Sequence, residues 1–182
     1  MTLTPDRLRQ ATAGDPRARQ AIVDAHGAWV FAMCRRLCPD PEDAYQEVWV
    51  RVFGALDRFD ADAALRLRPW IGTIARRHLI DRHRRAQVRG LTEDPEALVD
   101  PGPAPDRLAH RAELRRQLDD ALADLPFAQR AVIVMHDVHG VPLATLAEDH
   151  GVALGTIKSR LHRGRARLAG LLRSLGNPSE NP

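Results

Sequence analysis

Apolar residues recur along this chain three and four positions apart, and no segment shows the sustained two-residue alternation of a half-buried strand. Between residues 41 and 57, Ala44, Tyr45, Val48, Trp49, Val52, Phe53 and Leu56 fall on one stripe, with Glu42, Asp43, Gln46 and Glu47 opposite. Asp40 followed by Pro41 signals the start of that helix, and Asp43 adds favourable negative charge in its first turn. Asp15 and Pro16 give the same signal for a helix running to about Cys38. Pro69 starts a third, with Trp70, Ile71, Ile74, Ala75 and Leu79 on one face. Arg76, Arg77, Arg84 and Arg85 lie off that stripe, so this helix reads as apolar inward and cationic outward.

The periodicity breaks between Gly90 and Asp106, where Pro101, Pro103 and Pro105 exclude a helix and favour an extended spacer. Beyond it, helices are expected around Ala112 to Leu122 and from Pro126 to His136, the latter ended by Gly140. Pro142 opens a short helix to about Asp149, Gly151 supplies a positive-φ turn, and a longer helix runs from about Leu154 to Leu172. In the longer one Ile157, Leu161, Gly164 and Leu168 share a face, leaving Lys158, Ser159, His162 and Arg163 on the other. Ala147 permits a close helix crossing, and Val152 and Ile157 can lock the turn. Those are the requirements of a helix-turn-helix, whose second helix enters a DNA major groove. A solvated basic helix on a small bundle is the plainer alternative.

Composition narrows the class. The 182 residues allow one medium domain or two small ones, and the longest unbroken apolar run, Ala28 to Cys34, is far short of a membrane span. With 4% aromatic residues, the core is expected to be aliphatic rather than built of stacked rings. Two cysteines exclude a disulfide scaffold. The net charge is only +3, but it is segregated. Residues 39–64 hold seven acids and two arginines, residues 66–90 eight arginines and one aspartate, and residues 158–173 six bases and no acid. Two separate basic stretches suggest two contacts with a polyanion. All the basic residues except Lys158 are arginine, whose charge is permanent and whose fork fits phosphate.

Two helical modules, the first acidic then basic and the second ending in a helix-turn-helix, resemble the extracytoplasmic-function group of the sigma-70 family. The first match is PEDAYQEVWVRVFGALDRF, residues 41–59, followed by RPWIGTIARRHLIDRHRR, residues 68–85, similar to the family's region 2. The second begins at LPFAQRAVIVM, residues 125–135, and continues through Leu168, similar to region 4. The resemblance implies an all-α protein with a region 2-like domain at 1–87, a proline-rich linker at 88–112, a region 4-like domain at 113–175 and a tail at 176–182.

By the same resemblance the protein is a sigma factor, a cytoplasmic non-enzyme without cofactor or metal. Its partners would be the RNA polymerase core, through the beta-prime clamp helices and the beta subunit, together with promoter DNA and an anti-sigma factor, without membrane insertion. Asp43, Gln46 and Glu47 would dock the clamp helices. Arg76, Arg77, Arg84 and Arg85, with the loop from Asp60 to Arg68, would meet the melted −10 element, where a cationic surface and a pocket for an extruded base are needed. Lys158, Ser159, His162 and Arg163 would read the −35 duplex, with Arg160, and less distinctively Arg165 and Arg167, on phosphates. Four residues depart from the family pattern: Arg77 replaces an asparagine, Thr145 a glutamate, His150 an apolar residue and Ala153 a helix-capping serine.

Other chemistry fits less well. A stand-alone operator-binding regulator would share the helix-turn-helix but has no need of the acidic docking helix. A metal-dependent hydrolase would have to draw on His136, Asp137, His139, Glu148 and His150, whose spacing is not that of a recognised metal motif. Cys34 and Cys38, one turn apart, read either as a redox or metal switch or, preferably, as small buried residues of a reduced cytosol.

Overall fold

The computed structural model describes residues 3–90 and 106–176, with side chains described except those of 106–111 and 175–176. Among these residues it contains eight α-helices and no strand. They are α1 (Pro5–Thr12), α2 (Pro16–Leu37), α3 (Pro41–Ala55), α4 (Leu67–Val88), α5 (Asp106–Ala123), α6 (Phe127–Ile133), α7 (Leu143–His150) and α8 (Leu154–Gly176). The chain divides into two compact units, Met1–Thr92 and Glu93–Pro182. Most of the expected linker, residues 91–105, lies outside the described residues, as does the tail from residue 177. The helix α5 begins at Asp106, directly after the last proline of the spacer, and so takes up the last seven residues of the span expected to be linker.

In the first unit the predicted caps hold in part. Asp15 accepts the Ala18 amide at 2.7 Å and so caps α2. Asp40 makes no side-chain cap to α3; its carboxylate is drawn instead to Arg82 of α4, 3.3 Å away. Two 3-10 turns, Leu56–Arg58 and Ala61–Arg66, carry the chain from α3 to α4. Because the second turn feeds directly into α4, that helix starts at Leu67, two residues before Pro69. Proline is tolerated there, since the first four amides of a helix have no intrahelical acceptor.

The stripe on α3 is buried as its spacing requires, with Ala44, Val48, Val52 and Leu56 at most 1% exposed. Aromatic side chains add what the low aromatic content concealed. Phe31, Tyr45, Trp49 and Phe53 form a continuous ladder, edge-on for the first two pairs and stacked at 5.5 Å for Trp49 and Phe53. Seven of the eight aromatic residues lie in this unit, but of the ladder only Trp49 is buried and Phe31, Tyr45 and Phe53 are half-buried, so the rings edge a core that is aliphatic as expected. Helix α4 buries more than one stripe: beside Ile71, Ala75 and Leu79, it turns Gly72, Arg76 and Ile80 inward at four-residue intervals. Trp29 lies so close over Gly72 that a Cβ there would come within 2.9 Å of its ring.

In the second unit α6 does not continue to His136. It gives way at Val134 to a π-turn, Val134–Val138, that keeps Val134 and Met135 fully buried. Arg130, 1% exposed, donates from Nη1 to the Ala123 carbonyl at 2.9 Å, satisfying the C-terminal end of α5. Gly151 ends α7 in the left-handed conformation at φ 62°, and the Val152 amide returns to the Ala147 carbonyl at 3.0 Å. Helix α8 then crosses α6 closely at Gly164, where a Cβ would meet Ile133 Cδ1 at 2.9 Å and Gln129 Cβ at 3.1 Å.

Candidate functional site

On α3, Asp43, Gln46 and Glu47 project to solvent and line one shallow concavity with Val50 and Arg51. The three residues expected to dock a partner thus share a surface, joined by an apolar side chain, Val50, that is 73% exposed. Glu47 differs from its neighbours in being held from behind. Arg82 reaches its carboxylate at 3.0 Å and the buried His78 places Nε2 2.8 Å from it. Burial pushes the Glu47 carboxyl upward, but the Arg82 hydrogen bond and charge, with the His78 contribution, outweigh it and hold the group below its ordinary value. Burial lowers the His78 pKa, and the charge of Arg51 adds to this, more than Glu47 restores. His78 and Arg82 are four residues apart on one face of α4, the spacing at which helical side chains act together. That spacing is a signal for the pair that hydrophobic periodicity overlooks.

The turn ahead of α4 is tied down at several points. The Asp60 carboxylate accepts the Asp62 amide at 3.0 Å, and Asp62 in turn receives Arg9 of α1 at 2.7 Å. Leu65 is 88% exposed, and Arg66 and Arg68 flank the start of α4 on the surface. The Arg68 guanidinium rests 5.0 Å above the Trp29 ring, a cation–π contact that fixes the arginine. Of the four α4 arginines expected on the outer face, Arg77, Arg84 and Arg85 are exposed. Arg76 is not: at 4% exposure it lies in the inward row between Gly72 and Ile80, one helical turn from each. Its position follows from the width of the face that α4 buries, which a single stripe underestimates.

In the second unit α7 and α8 form the expected helix-turn-helix, with Leu146, Ala147, Ile157 and Leu161 buried between the two helices and their support. Lys158, Ser159, His162 and Arg163 are all exposed on one face of α8, and Arg160 is half-buried beside them. Arg163 bends back so that Nε donates to the Ser159 carbonyl at 3.4 Å. Arg165 is engaged within the unit by Asp137 of the π-turn, its Nε donating at 2.9 Å. Arg167 is exposed. His150, where the family pattern has an apolar residue, is 8% exposed.

The remaining candidates disperse. His136 sits against the Val141 carbonyl at 2.8 Å, and among the described residues no three histidine, cysteine, aspartate or glutamate side chains gather as a metal site. Cys34 and Cys38 are free and buried. Burial, with the neighbouring Cys38, pushes the Cys34 thiol up to about 12, far from the thiolate that redox chemistry requires. No described helix is long and apolar enough to cross a membrane.

The two units match two family models, Sigma-70 region 2 over residues 22–89 and Sigma-70, region 4 over residues 115–168. The chain is 30% identical over 183 residues to the ECF RNA polymerase sigma factor SigW of Bacillus subtilis, covering 93% of this chain and 96% of that one. It is 36% identical over 168 residues to SigM of Mycobacterium tuberculosis, covering 91% and 82%. Among solved structures it is similar to CnrH in complex with the cytosolic domain of CnrY, with a TM-score of 0.54, 26% identity and 94% and 98% of the chains covered. With both regions in order and relatives aligned along nearly their whole length, the chain belongs to the sigma-70 family, as one of its ECF RNA polymerase sigma factors.

Proposed function

We propose that this sigma factor docks the RNA polymerase core through Asp43, Gln46 and Glu47, against the beta-prime clamp helices, with further contacts to the beta subunit. The observation that carries this assignment is the exposed α3 face, where three polar side chains surround the apolar Val50 in one concavity. Such a patch combines an apolar centre with a charged rim, the anatomy of a surface that binds a protein partner and releases it. The region 2-like domain, residues 1–87, meets the −10 element through the turn at 60–68 and through Arg77, Arg84 and Arg85; Arg76 supports α4 from within. The region 4-like domain, residues 113–175, reads the −35 duplex with Lys158, Ser159, His162 and Arg163, and Arg160 lies against phosphate. The segment between α4 and α5, shorter than the 88–112 expected from the sequence, lets the two bind their elements together.

The protein catalyses no reaction itself and works in the cytoplasm, where polymerase and promoter are. The likeness to CnrH, solved with the cytosolic domain of CnrY, supports a protein partner here as well, an anti-sigma factor that withholds the sigma factor from polymerase. The docking assignment is tested by the double variant Gln46→Ala, Glu47→Ala. Its affinity for core polymerase should fall at least about tenfold, on the scale of losing hydrogen-bonded charge at an interface, with far-UV circular dichroism unchanged. Undiminished affinity would remove the assignment.

A further inference from the structure

The region 2 match begins at residue 22, so helix α1, Pro5–Thr12, stands outside it. Yet α1 is built into the unit: Leu8 and Ala11 are fully buried, and the helix packs against α2 and against the turn Ala61–Arg66. Arg9 is its one side chain hydrogen-bonded to that turn, with Nη1 donating to Asp62 at 2.7 Å while Nη2 donates to Asp6 at 2.7 Å. The carboxylates of Asp6 and Asp62 raise the Arg9 pKa, so its charge is permanent at any working pH.

The turn has a problem that this contact eases. It carries two carboxylates, Asp60 and Asp62, on a surface proposed to approach a polyanion, where an unpaired carboxylate repels phosphate. Arg9 pairs the Asp62 charge directly, while the Asp60 carboxylate is held in place by the Asp62 amide and keeps its charge. What remains outward is Leu65, 88% exposed, with Arg66 and Arg68 beside it. The turn is also irregular, with Ala63 at φ −88° and ψ 38°, so its own backbone ladder does not fix its shape.

We propose that α1 is a brace for the −10 recognition turn, and that Arg9, acting through Asp62, is a positioning residue for promoter choice. This rests on the assignment of the 60–68 turn to the −10 element. Arg9 touches no base; it sets where Leu65, Arg66 and Arg68 stand when the melted strand arrives.

The test uses the full-length protein with core polymerase and a panel of promoters substituted singly through the −10 element, with a −35 panel as reference. Arg9→Gln and Asp62→Asn should each change the ranking of −10 variants by about two- to fivefold, the range an exposed ion pair's coupling supports. The −35 ranking and core affinity should stay as in wild type. The exchanged pair Arg9→Asp, Asp62→Arg should restore the wild-type ranking. An unaltered −10 ranking in Arg9→Gln overturns the brace, as does a uniform loss on every template that the exchanged pair fails to rescue. Leu65→Ala and Arg68→Ala separate the two levels. If they shift the −10 ranking and Arg9→Gln does not, the brace alone is wrong; if they too leave it unchanged, the turn does not read the −10 element and the brace falls with that assignment.

Discussion

Glu47 stands half exposed on α3 with two α4 side chains behind it, Arg82 at 3.0 Å and His78 at 2.8 Å. The arrangement fixes the carboxylate's direction on the free protein, and in the proposed docking it would lower the entropy lost. It also makes the unit sensitive to acid. The His78 pKa is depressed in the folded chain, so the unfolded chain binds the proton more readily. Its contribution to stability is therefore complete above its unfolded pKa of about 6.5 and is lost as pH falls below that. All three tryptophans, Trp29, Trp49 and Trp70, lie in the first unit, so their fluorescence reports this unit alone. Between pH 7 and pH 5 the tryptophan-detected Tm should fall less steeply in His78→Gln than in wild type. Equal slopes would show that His78 does not carry the dependence. Nothing in the hydrophobic pattern marks His78 as buried, whereas Asp43, Gln46 and Glu47 were legible because exposure on a helix follows from being opposite an apolar stripe.

At the scale of elements, the signals that act within a few residues were read correctly. Asp15 caps α2, Gly151 takes the left-handed turn between α7 and α8, and the α8 stripe is buried at Ile157, Leu161 and Gly164 and half-buried at Leu168. Where a tertiary contact or an irregular turn intervenes, the local signals did not suffice. Asp40 leaves its cap for Arg82, the entry to α4 moves ahead of Pro69 because a 3-10 turn runs into it, and α6 widens at Val134 to a π-turn. Arg76 was misplaced for a related reason: α4 packs against two helices and a turn, so its buried face is broader than one stripe. The α6–α8 crossing offers a clean test, because Gly164 is the point of closest approach. Gly164→Val should destabilise the second unit by about 1–3 kcal/mol through overpacking, well beyond the few tenths that helix propensity returns. The loss should appear in the far-UV circular dichroism melt and leave the tryptophan-detected transition of the first unit in place. A variant as stable as wild type by both signals would mean that α6 and α8 do not meet closely there.

For the whole molecule, the charge segregation along the chain becomes a division of labour between surfaces. The acidic face of α3 and the exposed arginines of α4 belong to one unit, and the basic face of α8 belongs to the other. Two units that each present a cationic face gain from being on one chain, since binding of one raises the effective concentration of the other at its own element. Each contact by itself is polar and small, so neither is expected to select a promoter tightly alone. Specificity then depends on assembly with polymerase. The most direct measurement is run-off transcription by purified core polymerase on the native cell's genomic promoter fragments, with and without this protein. Core polymerase should gain discrete, promoter-specific transcripts when the protein is added and lose them when the −10 or −35 element of the template is replaced. No gain in specific initiation, combined with tight sequence-specific duplex binding by the free protein, would contradict the account and identify a stand-alone DNA-binding regulator.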